Sequence, residues 1–304
     1  DIIDKKPLAV ITIDSKAFTM RVAKLVRKKQ TATENKIKLI HMVAPTVWAW
    51  RSGRAKQISK FLDHLFTLFP FEPPYFVKHG LPTTFIGHPL AGQPEGNDKN
   101  YRDAFGIDKD AKIISVLPGS RLGEIKRLLP TFKKTLDLLI RKYPGIHITI
   151  PTVDSVEHLL RAETEEWEIP VSIITDPNMR LNAFAASCVA LAASGTVTLE
   201  LALAKVPSVI AYKVNPLSAV FGYFLVNKNA VVLPNQLMGE KIFPLYLQWE
   251  CTPANLFKAI SLKIDSPTDN LAGLSSKIRD KLRASEKPSE SLAAQTILNI
   301  VKVN

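Results

Sequence analysis

The residues best suited to chemistry form one short run, Leu117-Pro118-Gly119-Ser120-Arg121-Leu122-Gly123-Glu124. An apolar stretch, Ile113 to Leu117, precedes it, and Ile125, Leu128, Leu129, Phe132, Leu136 and Ile140 follow at helical spacing. Strand, glycine-bearing turn and helix is the order in which backbone N–H groups and a helix dipole receive a phosphate. In that reading Gly119 lets the backbone approach an anion, Ser120 caps the helix, and Arg121 adds a planar fork for phosphate oxygens. The same residues would also serve an ordinary capped strand-to-helix turn, so a second feature must decide. One is Ser194-Gly195-Thr196, which follows the apolar run Val189 to Ala192 and opens a helix through Thr198, Leu199, Glu200 and Leu203. Two such turns on neighbouring strand ends of one sheet would make a diphosphate-binding cleft. Glu200 would then accept hydrogen bonds from ribose hydroxyls, or else stand as a solvated helix residue.

Asp14 is the acid–base candidate. It ends the apolar strand Leu8 to Ile13, where a carboxylate can take a proton from a hydroxyl; the competing role is to cap the following helix. His88, in Gly87-His88-Pro89, reads more readily as a turn residue than as a catalyst. The stretch Trp48-Ala49-Trp50-Arg51-Ser52-Gly53-Arg54, continuing to Lys56 and Lys60, sets two tryptophans beside four cations with no acid before Asp63. Such a segment suits a membrane interface or a lipid phosphate, and equally the stacking of single-stranded nucleic acid. A tryptophan packed inward under a solvated basic face would give the same pattern.

The elements that must position these groups alternate. Leu8–Ile13, Lys38–Val43, Leu65–Phe69 and Thr84–Ile86 read as strands. Between them lie helices at Phe18–Lys29, with Val22, Leu25 and Val26 as its apolar face, at Ala49–Leu62, and at Pro74–Lys78. After a linker, the pattern restarts with strands at 113–117, 146–150, 171–174, 189–192 and 208–212, helices intervening. Strand–helix alternation implies parallel sheets flanked by helices, with ligands at the carboxyl ends of the strands. The expected organisation is an α/β chain of two Rossmann-like domains. The first covers residues 1–90, joined by a closing helix at 289–304; a Pro- and Gly-containing linker covers 91–100, and the second domain 101–288.

Composition limits the choices. The 304 residues are 46% hydrophobic and 22% charged, which describes a globular protein, and no apolar run approaches the roughly 20 residues that span a bilayer. Cys188 and Cys251 lack metal-type spacing and read as free thiols in a reducing compartment. The net charge of +12 invites a polyanion: nucleic acid, phosphorylated substrate or anionic membrane. Asp108-Lys109-Asp110 formally matches an Asp-x-Asp metal motif but sits in a polar turn, and no metal or cofactor is expected. There is no G-x-S-x-G elbow and no complete P-loop, so serine hydrolase and ATPase readings drop out.

Two Rossmann-like halves with the nucleotide turns in the second describe a GT-B glycosyltransferase. Within that class, several stretches resemble the lipid-A-disaccharide synthase family: Pro45-Thr46-Val47-Trp48-Ala49-Trp50-Arg51, Phe69-Pro70-Phe71-Glu72, Gly87-His88-Pro89, and Leu117-Pro118-Gly119-Ser120-Arg121 with Glu124. So do Ala193-Ser194-Gly195-Thr196 with Leu199-Glu200, and Leu233-Pro234-Asn235. They follow the family's order along nearly the whole chain. The resemblance implies an inverting transfer from UDP-2,3-diacylglucosamine to 2,3-diacylglucosamine 1-phosphate, at the cytoplasmic face of the inner membrane of a Gram-negative bacterium. By matching position Asp14 would be the general base. Arg121 and its turn would hold the diphosphate, and Glu200 and Asn235 would contact the nucleotide. The segment with Trp48, Trp50, Arg51, Arg54 and Lys56 would face lipid, and nucleic acid would not be a partner.

Two departures from the family pattern stand out. Family members carry more chain at the N-terminus, including a first strand and a glycine-rich turn, so the first domain reads as incomplete, with apolar sheet surface expected to be exposed. Where the family often has Ile-Asp-x-Pro-Asp-Phe, this chain has Ile13-Asp14-Ser15-Lys16-Ala17-Phe18, keeping only the first acid. A UDP-binding remnant without turnover and a UDP-sugar 2-epimerase are the alternatives.

Overall fold

A computed structural model describes residues 1–30, 36–48, 53–214, 231–267 and 271–302. They form two compact units, residues 1–93 with 279–304, and residues 94–278.

The first unit holds a short helix α1 (Ile2–Lys5), then β1 (Ala9–Ile13), α2 (Lys16–Lys29), β2 (Lys38–Met42), α3 (Gly53–Ile58), β3 (His64–Thr67), α4 (Pro73–Val77) and β4 (Thr83–Phe85). Its four strands are parallel in the order β1-β2-β3-β4, with Ile11 opposite Ile40 and Ile40 opposite His64. A parallel sheet needs cover on both faces. Ala23, Val26, Ala55, Ile58 and Phe76 from the three helices pack on Leu39 and Leu65. On the other face, the closing helix Ser289–Lys302 sets Ala293 against Ile40, Phe66 and Ile86.

Helix α2 packs differently from expectation. Its buried residues are Thr19, Ala23 and Val26, whose spacing of four and three puts them on one stripe. Leu25, expected on that face, is 58% exposed. At the β1 edge Leu8, Ile11, Ile13 and Phe18 are also exposed, so apolar surface does lie open there. Helix α3 ends at Ile58, ahead of the expected Leu62, and residues 49–52, including Trp50 and Arg51, fall outside the described residues.

The second unit runs α5 (Asp98–Phe105), β5 (Ile113–Leu117), α6 (Leu122–Lys142), β6 (His147–Pro151), α7 (Asp154–Thr164), β7 (Val171–Ile174), α8 (Pro177–Ala186), β8 (Val189–Ala193), α9 (Val197–Leu203), β9 (Ser208–Tyr212) and β10 (Leu245–Leu247). The six parallel strands lie in the order β10-β9-β8-β5-β6-β7. The chain builds outward from β5 through β6 to β7, then returns to place β8 on the other side of β5. That reversal opens a crevice at the carboxyl ends of β5 and β8. Helix α6 fastens the central strand by burying Ile125, Leu128, Leu129, Phe132, Leu136 and Leu139 against Ile114, Val116, Ile148 and Leu191. Burial of each such side chain contributes roughly 1.5–3 kcal/mol before entropy is charged against it.

The boundary between the units, Gln93 to Pro94, falls inside the stretch expected as the linker, and the residues after it are held to the second unit. Asn97 N–H donates to Asn182 Oδ1 at 2.8 Å, and Lys205 pairs with Glu95 at 2.7 Å. A Cβ on Gly96 would stand 1.9 Å from the Leu181 carbonyl oxygen, so only glycine lets the backbones approach this closely. Residues 94–100 therefore belong to the second unit. The return to the first unit begins at Arg279, ten residues ahead of the expected helix, and its guanidinium donates to the Ala91 and Gln93 carbonyls at 2.9 Å each. Among the described residues no helix is long and apolar enough to cross a membrane, and Cys188 and Cys251 carry free thiols.

Candidate functional site

At the end of β5 the chain turns through Gly119, whose φ of 120° suits glycine. A Cβ there would lie 2.6 Å from both Cβ and Oε2 of Glu124. Ser120 does not cap the helix: the N-cap position falls on Arg121, and no side chain caps the first turn. Instead the Glu124 carboxylate reaches back, accepting from Ser120 N–H at 3.3 Å and pairing with Arg121 Nη1 at 2.9 Å. An uncapped first turn of a 21-residue helix keeps donors and the positive end of the dipole available to an anion. The Arg121 side chain is 79% exposed and can reorient toward a ligand.

The second turn stands beside the first because β8 pairs directly with β5, Leu117 lying opposite Ala192. Ser194 Oγ donates to the Val231 carbonyl at 2.6 Å, and Thr198 Oγ1 donates to the Gly195 carbonyl at 2.8 Å. These bonds hold the turn while Thr196, at the N-cap of α9, makes no side-chain cap. A cleft of about 330 Å³ opens between the two turns, lined by Gly119, Ser120, Arg121 and Glu124 on one side and by Ser194 to Val197 and Glu200 on the other. Glu200 is not a solvated helix residue. Its side chain is 12% exposed, and its carboxylate lies 3.3 Å from Arg180 of α8. Burial pushes the Glu200 carboxyl above the ordinary carboxylate range, and the Arg180 charge pulls it back down. Arg180 and the β6 end, Pro151 to Val153, also line the cleft and escaped the sequence reading. One signal was present, since Arg180 is the lone charged residue of α8.

Asn235 is placed differently from expectation. It is buried and does not line the cleft; its amide donates to the Phe243 carbonyl at 2.9 Å and accepts from Ile242 and Phe243 N–H at 3.1 and 3.0 Å. Both acceptor directions of its oxygen and one of its two N–H donors are used in closing the loop to residue 243.

In the first unit Asp14 stands exposed at the carboxyl end of β1. Its backbone is left-handed (φ 45°), as are Ser15 (43°) and, at the end of β2, Val43 (76°). A β-branched residue in that region is strained, and strain concentrates at functional sites. Backbone bonds hold the corner: Asp14 N–H donates to the Met42 carbonyl at 3.0 Å, and Thr19 Oγ1 donates to the Asp14 carbonyl at 2.8 Å. The Asp14 side chain does not cap α2, and it makes no hydrogen bond or ion pair among the described residues.

His88 is a turn residue. Its Nδ1 accepts from Leu90 N–H at 3.1 Å, it lies beside Phe69, and burial lowers its pKa to about 4, so the ring is neutral at pH 7. Trp48 faces inward, not outward: it stacks on Phe71 at 5.6 Å and lies 6.4 Å from Phe69. Lys56 on α3 is exposed, whereas Arg54 is half-buried and has a partner.

Glu72 carries a testable consequence. It is 5% exposed, its Oε2 accepts from Leu68 and Phe69 N–H, and burial raises its pKa to about 7. The folded state thus holds this proton more tightly than the unfolded chain, whose glutamate titrates near ~4.3. Its contribution to stability falls as pH rises from about 4.5 through about 7. Glu72→Gln keeps the acceptor and should stabilise the protein by up to about 3 kcal/mol at pH 8, with little change at pH 5. Urea unfolding of both forms at both pH values checks it, and an equal difference at the two would remove the argument. Gly119→Ala, which meets Glu124 and a strained φ, should cost about 1–3 kcal/mol of stability, as read by calorimetry.

Two Rossmann-like parallel-sheet units, the second bearing paired turns at its topological switch point, define the GT-B class. A solved UDP-GlcNAc 2-epimerase from Neisseria meningitidis, bound to UDP-GlcNAc, shares the fold at a TM-score of 0.59 and 15% identity, covering 98% of this chain and 78% of that one. The chain belongs to the lipid-A-disaccharide synthetase family, whose model matches residues 1–301. It is 40% identical over 305 residues to a lipid-A-disaccharide synthase of Rhodospirillum centenum, covering 99% of this chain and 75% of the relative. One from Gluconobacter oxydans is 39% identical over 269 residues, covering 88% of this chain and 63% of that relative.

Proposed function

We propose that the chain is an inverting glycosyltransferase of lipid A assembly, taking UDP-2,3-diacylglucosamine as donor and 2,3-diacylglucosamine 1-phosphate as acceptor. The observation that carries this reading is the pairing of the Gly119 and Gly195 turns in one cleft that also holds Arg121 and Glu200. The diphosphate lies over the turns, with Arg121 neutralising charge as the anomeric C–O bond breaks and UDP leaves with the electron pair. The Asp14 carboxylate takes the proton of the acceptor hydroxyl as its oxygen forms the new bond to the anomeric carbon. Glu200 accepts hydrogen bonds from the ribose diol. The chain works at the cytoplasmic face of the inner membrane, drawn by its +12 charge and by exposed cations such as Lys56. Trp48, stacked on Phe71, is not itself a lipid-facing group in this reading.

The test is UDP release in detergent with both acylated glucosamines present. Release that requires both substrates supports the reading. Saturable UDP binding without turnover favours a second reading, a nucleotide-binding chain without transferase activity.

A further inference from the structure

Four charged side chains line the cleft: Arg121, Glu124, Arg180 and Glu200. The first two pair with each other at 2.9 Å, which leaves Arg180, from α8, as the cation for Glu200, from α9. Their contact is incomplete. The 3.3 Å separation lies within ion-pair range, yet Arg180 Nε and Glu200 Oε2 are both buried without a hydrogen-bond partner. Oε2 is the buried oxygen on the Arg180 side, so the exposure that the Glu200 side chain keeps on the cleft wall lies elsewhere on it, and its carboxylate has acceptor capacity left for a hydroxyl donor.

We propose that Arg180 is a positioning residue for the nucleotide. It holds Glu200 ionised and aimed into the cleft, so that the carboxylate accepts from the vicinal hydroxyls of a ribose. This rests on the nucleotide reading of the cleft and deepens it: Arg180 acts on the sugar of the nucleotide through Glu200 and does not itself touch the diphosphate. An ionised carboxylate is a stronger acceptor than a neutral carboxyl, which spends one oxygen as a donor. Burial alone favours the neutral form of Glu200, and Arg180 opposes that tendency. Removing the arginine should therefore weaken binding most at low pH, where Glu200 would take up a proton.

The experiment is calorimetric titration of the full chain with UDP and with 2′,3′-dideoxy-UDP between pH 6 and 9, using wild type, Arg180→Met and Arg180→Lys. Arg180→Met should lose roughly tenfold in UDP affinity at pH 6 and distinctly less at pH 9, a charged hydrogen bond being worth at least that factor. Arg180→Lys should recover most of the affinity, because it restores the charge. Dideoxy-UDP, which has no diol, should bind wild type and Arg180→Met alike. Equal losses for both ligands, or a loss independent of pH, would overturn the proposal in favour of a direct phosphate contact or a damaged fold. No effect of Arg180→Met on UDP binding would overturn it as well. If wild type fails to bind UDP at all, the nucleotide reading of the cleft fails first.

Discussion

Replacing Arg121 by alanine should lower kcat/KM for sugar transfer by about 10²–10³-fold, the range seen when a preorganised donor to a developing anion is removed. The guanidinium is 79% exposed and its only described partner is Glu124, so the fold loses little. Stability should stay within about 0.5 kcal/mol of wild type. UDP affinity falls as well, because the leaving group already carries its charge in the ground state, but by less than the rate. Arg121→Lys should recover only part of the loss, since a point charge replaces a planar two-donor fork. Steady-state kinetics beside UDP titration separates these effects. An Arg121→Ala variant with normal turnover would remove this residue from the mechanism.

Asp14→Asn should be the second large effect, a fall in kcat of about 10²–10⁴-fold with UDP affinity unchanged. The substitution keeps the shape and removes the proton acceptor. Little else depends on this carboxylate, for the corner at Asp14 is held by backbone bonds to Met42 and Thr19, not by the side chain. The left-handed backbone tolerates asparagine as readily as aspartate. Single-turnover measurement with bound donor checks the step directly. Loss of UDP binding in Asp14→Asn would point to a structural role, and unchanged turnover would exclude it as the base.

The parallel architecture was legible because buried strands write themselves as short apolar runs, and the helices between them as amphipathic stripes. Both turns of the cleft could be read the same way, from a glycine at the end of such a run. Their adjacency could not, because strand order depends on where the chain returns after β7, which no local pattern encodes. Side-chain partners were the least legible. Ser120 has the composition of a cap, yet its side chain caps nothing, and its N–H donates to Glu124 of the first helical turn. Asn235 sits in a stretch that resembles a nucleotide contact, but its amide oxygen accepts from Ile242 and Phe243 and it is buried away from the cleft. Trp48 beside cations suggests an interface, and the Phe69–Phe71 pair that turns it inward lies some twenty residues away. Arg180 enters the cleft from a helix whose lone charge was visible, although the partner of that charge was not.

The most direct test of the central claim, that two turns of the second unit together hold a nucleotide diphosphate, is hydrogen exchange of the full chain with and without UDP. Protection should appear at residues 118–124 and 194–199 together, and should vanish from both in Gly119→Ala. Saturable UDP binding that protects neither turn, or only one of them, would contradict the claim.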